Sequence, residues 1–138
     1  LMGQILFESG RVRDSIPYYT AAVKLAPSSA LMRGELAHAQ IETNNPALLP
    51  SAISNLRAAL RVEREIPNTW RSLATAYGRQ KNDLQASLAL AEEALLLNKK
   101  TDALHFATRA KKRAKEGTPA WLQADDILAA VKRLKDSQ

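Results

Sequence analysis

The chain has 138 residues, of which 46% are hydrophobic and 25% charged, the balance of a soluble globular protein and not of a disordered tail. Alanine and leucine supply 44 residues against ten valines and isoleucines, which, with five glycines and six prolines, favours helix over sheet. The absence of cysteine excludes disulfides, thiolate-bound zinc, iron–sulfur clusters and a thiol nucleophile within this sequence, while the net charge of +6 permits an acidic partner without requiring one.

Apolar residues recur every three or four positions, and turn signals interrupt them at near-regular intervals. A first helix is expected from Leu1 to about Ser9, stopped by Gly10. The chain is read as starting inside this helix, with no signal-like beginning. A second runs from about Arg13 to Leu25, with Ile16, Tyr19, Ala22, Val23 and Ala26 on one face and Pro27 behind it. Ser28 or Ser29 opens the third, which continues to about Thr43. Asn45-Pro46 and Pro50 bracket a short turn before a fourth helix at 51–64. Ile66-Pro67-Asn68 leads into a fifth at 69–81, Asn82-Asp83 into a sixth at 84–97, and Thr101 is the expected cap of a seventh at 102–115. Gly117-Thr118-Pro119 combines a terminating glycine, a cap and a first-turn proline, so the last helix begins at 119 and runs to about 135. Eight antiparallel helices with short links and no strand predict an all-α fold, an α–α superhelix built from hairpins. No apolar run approaches the ~20 residues of a membrane span.

Self-similarity runs through the pattern. Gly3, Leu6, Gly10, Ser15, Tyr19, Ala22 and Pro27 have the spacing of a helix–turn–helix repeat of about 34 residues. Leu36, Ala37 and Gln40 precede Ala52, Leu56 and Ala59. Trp70, Leu73, Ala74 and Tyr77 complete the W-x₂-L-small-x₂-Y arrangement, followed by Ala86 and Leu90, and Leu90, Ala91 and Ala94 pair with Ala103, Ala107 and Ala110. These residues resemble the tetratricopeptide repeat (TPR) over nearly the whole chain. The resemblance implies a single TPR solenoid with a partial repeat at 1–28, repeats at 29–66 and 67–98, an overlapping repeat at 84–118 and a capping helix at 119–136. The sixth helix either closes one repeat or opens the next. In this register small residues such as Ala22, Ala59 and Ala110 let paired helices approach, and Ala22→Leu is expected to overpack a crossing at a cost on the order of 1–3 kcal/mol.

Longer phrases narrow the resemblance. Gly3-Gln4-Ile5-Leu6-Phe7-Glu8, Ser15-Ile16-Pro17, Trp70-Arg71-Ser72-Leu73-Ala74, Ala76-Tyr77-Gly78-Arg79, Ser87-Leu88-Ala89-Leu90-Ala91-Glu92 and Thr118-Pro119-Ala120-Trp121-Leu122 are similar to the C-terminal TPR region of bacterial periplasmic zinc metallopeptidases of the β-barrel-assembly-enhancing type. That resemblance implies a periplasmic location. It also implies an H-E-x-x-H zinc domain before Leu1, in intramolecular contact with this region, and a role in engaging substrate polypeptide or outer-membrane assembly partners. Zinc is expected in that other domain and no cofactor in this chain. In TPR arrays the first helix of each hairpin lines a concave groove. Position by position this selects Gln4, Phe7 and Glu8, then Gly34, His38, Ile41 and Glu42, then Arg71, Thr75, Gly78 and Arg79. Arginines on that face clamp a carboxylate or the carbonyls of an extended chain.

Catalytic patterns are missing from the sequence itself. His38 and His105 fall in different helices, without the i, i+4 pairing and flanking glutamate of a helical zinc site. Asp125 and Asp126 are adjacent on a helix, about 100° apart, and do not converge on one atom. No phosphate-binding glycine loop or nucleophile elbow occurs. The strongest electrostatic feature is Lys99, Lys100, Arg109, Lys111, Lys112, Arg113 and Lys115, opposed locally only by Asp102 and Glu116. It reads as a solvated face, with docking of an acidic protein surface or the peptidase domain as one alternative. Nucleic acid is the weaker alternative, because no aromatic residues interleave with the cations. A stand-alone adaptor or co-chaperone remains the other class of function, and the truncated first repeat is completed either by preceding residues or by a second copy in a homodimer.

Overall fold

A computed structural model describes residues 1–136, and all of its regular structure there is helical: α1 (Met2–Glu8), α2 (Val12–Leu25), α3 (Ala30–Glu42), α4 (Leu49–Val62), α5 (Pro67–Arg79), α6 (Asp83–Leu96), α7 (Lys100–Arg113) and α8 (Pro119–Asp136), with one 3₁₀ turn at Pro46–Leu48. The expected all-α hairpin fold is therefore the observed one. The chain divides into two compact units, Leu1–Arg64 and a second beginning at Glu65.

Local chemistry explains the boundaries. Ser29 Oγ accepts from the Met32 amide at 3.1 Å, Asn45 Oδ1 from Ala47 at 3.1 Å, and Asn82 Oδ1 from Gln85 at 3.2 Å, each relieving an unpaired donor at a helix start. Thr118 Oγ1 faces the Trp121 amide at 3.4 Å with Pro119 in the first turn. The expected cap at Thr101 is displaced. α7 starts at Lys100, Lys99 occupies the cap position without a side-chain bond, and Thr101 lies inside the helix. Three turns share one closure. Gly10, Lys81 and Asn98 take φ of 81°, 60° and 58°, and the next amide bonds back across the helix end (Arg11 to Leu6, Asn82 to Tyr77 and Lys99 to Ala94, at 2.8–2.9 Å).

In the first unit, α1 packs on α2, α2 on α3 and α3 on α4. Tyr19, Leu36 and Ala39 form a buried cluster with Phe7, Val12, Ile16 and Val23 against it. Gly3 is fixed by this packing: a Cβ there would lie 3.1 Å from the Tyr19 ring. Four polar side chains join α3 to α4. Arg33 Nη1 donates to Asn55 Oδ1 at 3.0 Å, Asn55 Nδ2 to Gln40 Oε1 at 3.2 Å, and Gln40 Nε2 to Ser51 Oγ at 2.9 Å. Gln40 and Asn55 are buried, so this relay satisfies groups that would otherwise be costly.

In the second unit α6 packs on α5, α7 and α8. Its core is notably small-sided: Ala91, Ala94, Ala103, Ala107, Ala110 and Ala124 around Leu88, Ile127 and Val131. Trp70, Leu73 and Tyr77 are buried on α5, as their spacing predicts.

One packing expectation fails. Ala59 and Ala110 are buried at helix crossings, but Ala22 is only half-buried and lines an open cavity of about 540 Å³. A longer side chain there has room to enter the cavity, so Ala22→Leu should not overpack. Ala26, placed on the same face by periodicity, is exposed, because α2 has already ended. The revised expectation is a contrast: Ala107→Leu, at a fully enclosed site, lowers stability by about 1–3 kcal/mol, whereas Ala22→Leu stays within about 1 kcal/mol of the parent. Urea unfolding of the two variants side by side checks it, and equal losses would refute the assignment.

Candidate interaction surfaces

In the first unit Phe7 of α1, half-buried against the core, meets the exposed His38 of α3. The rings of Phe7 and His38 lie 5.0 Å apart, tilted by 44°, which brings two of the expected groove residues together. Gln4 Nε2 donates to Glu8 Oε1 at 3.1 Å one turn away. Glu8, His38 and Glu42 are exposed, and a Cβ at Gly34 would meet nothing within 4 Å, so the surface beside His38 is open. Ile41 departs from expectation. It is 4% exposed and belongs to the packed side of α3, because its angular position falls with Ala37 rather than with His38.

On α5, Arg71, Thr75, Gly78 and Arg79 are all exposed on the side opposite Trp70, Leu73 and Tyr77, the ridge that the i, i+4, i+8 spacing predicts. Arg71 is held by an acid that sequence proximity does not reveal. Its Nε donates to Glu93 Oε2 at 3.0 Å, across the α5–α6 packing, with the Glu93 side chain 11% exposed. Thr75 Oγ1 donates to the Arg71 carbonyl at 3.1 Å, turned along its own helix.

The basic face of α7 is more neutral than its sequence. Arg109 forms a fork on Asp83, Nε at 3.1 Å and Nη2 at 2.8 Å, and Arg113 joins the same carboxylate at 2.6 Å. The hydrogen bond from Arg109, aided by the charges of Arg109 and Arg113, holds the Asp83 carboxyl below the usual carboxylate range. Lys111 donates to Asp125 at 2.8 Å and sits 4.7 Å from the Trp121 ring centroid. Lys100 reaches the Leu134 carbonyl at 3.4 Å. Lys99, Lys112 and Lys115 remain exposed. Four of the seven expected surface cations thus also tie α7 to α6 or α8. His105 is exposed and edge-on to Phe106.

Among the described residues no cluster of three or more His, Asp or Glu side chains is arranged to hold a metal ion, and no helix is long and apolar enough to cross a membrane. No protein-family model matches the chain, and no curated protein matches it as a relative.

The Asp83 pairs give a pH-dependent expectation. A carboxyl whose folded pKa is depressed stabilises above its unfolded value of about 4, and that contribution is lost as pH falls through the lower folded value. Asp83→Asn should therefore lower the melting temperature slightly at neutral pH, by the small amount typical of exposed ion pairs, and the gap to the parent should close below about pH 3. Melting curves across that range test the sign. A gap that widens in acid contradicts it.

Proposed function

We propose that this chain is a non-catalytic protein-interaction domain of tetratricopeptide type, the C-terminal repeat region of a periplasmic zinc metallopeptidase that engages substrate polypeptides or outer-membrane assembly partners. The repeat phrases from Gly3 to Leu122 carry the assignment to that class. The observation that supports a binding role is the contact between Phe7 and His38. Phe7, half-buried against the core, meets the exposed His38 ring from the first helix of the next hairpin.

Each unit offers exposed polar side chains to an extended chain. In the first, His38 lies one helical turn from Gly34, where a Cβ would meet nothing within 4 Å. In the second, Arg71 is anchored to Glu93 through Nε, with its side chain 61% exposed. A positioned fork of this kind pairs with a carboxylate or with successive carbonyls at a lower ordering cost than a mobile side chain.

The test is binding of a fluorescent, unfolded outer-membrane β-barrel polypeptide to the chain, read by anisotropy. Arg71→Lys retains a cation for Glu93 but removes the planar fork, and His38→Ala removes an exposed ring. Each variant is expected to weaken binding by about three- to tenfold with an unchanged melting temperature. Parent-like affinity in both variants would overturn this reading of the faces.

A further inference from the structure

α7 buries Ala103, Ala107 and Ala110 and turns its opposite side outward. On that side Thr101, Leu104, His105 and Thr108 fall on one helical face, which continues into Lys112 and Arg113. These residues line an open groove of about 440 Å³. At 1.5 Å per residue the stripe from Thr101 to Arg113 is roughly 18 Å long. Leu104, near its start, is 39% exposed. Threonine and histidine are weaker helix formers than alanine, lysine or arginine, so Thr101, His105 and Thr108 on an open face gain nothing for the helix itself.

The groove carries charge of one sign. Among the described residues no acidic side chain lines it, and the carboxylate that reaches its rim, Asp83, is shared by Arg109 and Arg113. Two cations on one acid leave a positive charge in excess. Lys112 adds another, because its ammonium has no ion-pair or hydrogen-bond partner among the described residues, and neither do the hydroxyls of Thr101 and Thr108. Lys111, which does not line the groove, is by contrast taken up by Asp125 and the Trp121 ring.

We propose that this groove receives a short acidic segment of a protein partner in extended form, with one apolar side chain on Leu104 and carboxylates on Lys112 and Arg113. The excess positive charge specifies the acid and Leu104 the apolar residue, while the threonine hydroxyls and His105 meet the polar main chain between them. Leu104 and Lys112 are about 12 Å apart along the helix, a distance an extended chain covers in about four residues. The pattern recognised is therefore an apolar residue about four positions from an acidic pair. A single-stranded nucleic acid fits less well, since no Phe, Tyr or Trp lines the groove to stack a base. The inference rests on the reading of the chain as an interaction domain, but on a different surface, because neither His38 nor Arg71 lines this groove.

The probes are capped fluorescent peptides of about eight residues, followed by anisotropy at about 0.15 M salt. One carries leucine about four positions from a glutamate pair, a second places the leucine beside the pair, and a third has lysines for the glutamates. The spaced acidic peptide should bind at least about threefold more tightly than the second and about tenfold more tightly than the third. Net charge alone separates only the third, so the comparison of the two acidic peptides reads the groove. Lys112→Ala and Leu104→Ser, both at exposed positions, should each weaken the spaced peptide by about three- to tenfold at an unchanged melting temperature. Lys115→Ala, which removes an exposed cation outside the groove, should leave it at the parent level. Equal binding of the two acidic peptides, or equal losses in Lys115→Ala and Lys112→Ala, overturns the proposal in favour of a diffuse field. A short single-stranded oligonucleotide that binds more tightly than the spaced peptide and is lost in Lys112→Ala overturns it by assigning the groove to nucleic acid. So does a dimer in sedimentation that Lys112→Ala dissociates, which assigns the groove to a second copy. His38→Ala and Arg71→Lys should bind the spaced peptide as the parent does, and weakening in either overturns its placement on α7. Failure of the faces proposed above therefore leaves the groove standing, and failure of the groove leaves those faces to their own test.

Discussion

Helix spacing is the constraint from which the rest of this structure follows. Where two helices cross, the side chain at the crossing sets the distance between their axes, and alanine brings them closest. Ala37, Ala52, Ala59, Ala91, Ala103, Ala107 and Ala110 are each almost completely buried. A core of this kind gains tight packing but little apolar area per residue, since an alanine buries only one methyl group. It also offers few large knobs to fix how far one helix slides along another. Among side chains at under 2% exposure only Leu56, Leu88 and Val131 are large and apolar.

Directional polar contacts supply the missing register. The Arg33–Asn55–Gln40–Ser51 relay joins α3 to α4, Arg71–Glu93 joins α5 to α6, and Asp83 gathers Arg109 and Arg113 to join α6 to α7. Lys111–Asp125 then joins α7 to α8. In these four pairs buried alanines let the helices approach, and a polar contact fixes their register. The electrostatic consequence is concentrated on α7. A stretch that carries seven cations against two acids in sequence gains Asp83 and Asp125 as partners in space. That arrangement reduces the field available to a nucleic acid and leaves a surface of mixed polarity.

The local half of this design was legible in the sequence. Helix breaks at Gly10, Pro27, Asn82 and Gly117 act within a few residues of themselves, so element limits fall within about three residues of those expected. The buried side of α5 followed from the period of Trp70, Leu73 and Tyr77. The nonlocal half was not legible. Glu93 lies 22 residues beyond Arg71 and Asp83 lies 26 before Arg109, so no helical spacing links them. Ala22 shows a different limit. The repeat register makes it a crossing residue, yet in the structure it is half-buried and lines an open cavity.

The difference between Arg71 and Arg109 shows why pairing alone does not decide whether a cation is available to a partner. Arg109 commits Nε and one Nη to the same carboxylate, and its fork is occupied by a neighbour of its own fold. Arg71 commits only Nε to the nearly buried Glu93. Glu93 is itself retained in an alanine- and leucine-rich helix, where an unpaired carboxylate would be costly, so the acid needs the arginine as much as the arginine needs an anchor. The Arg71 side chain is thereby anchored by a contact across the packing of α5 on α6. In the proposed binding role, Arg71 would draw its preorganisation from the same contact that joins α5 to α6. On that proposal, mutations that loosen the hairpin would weaken recognition through the fold, whereas lysine at 71 would weaken it by removing only the fork.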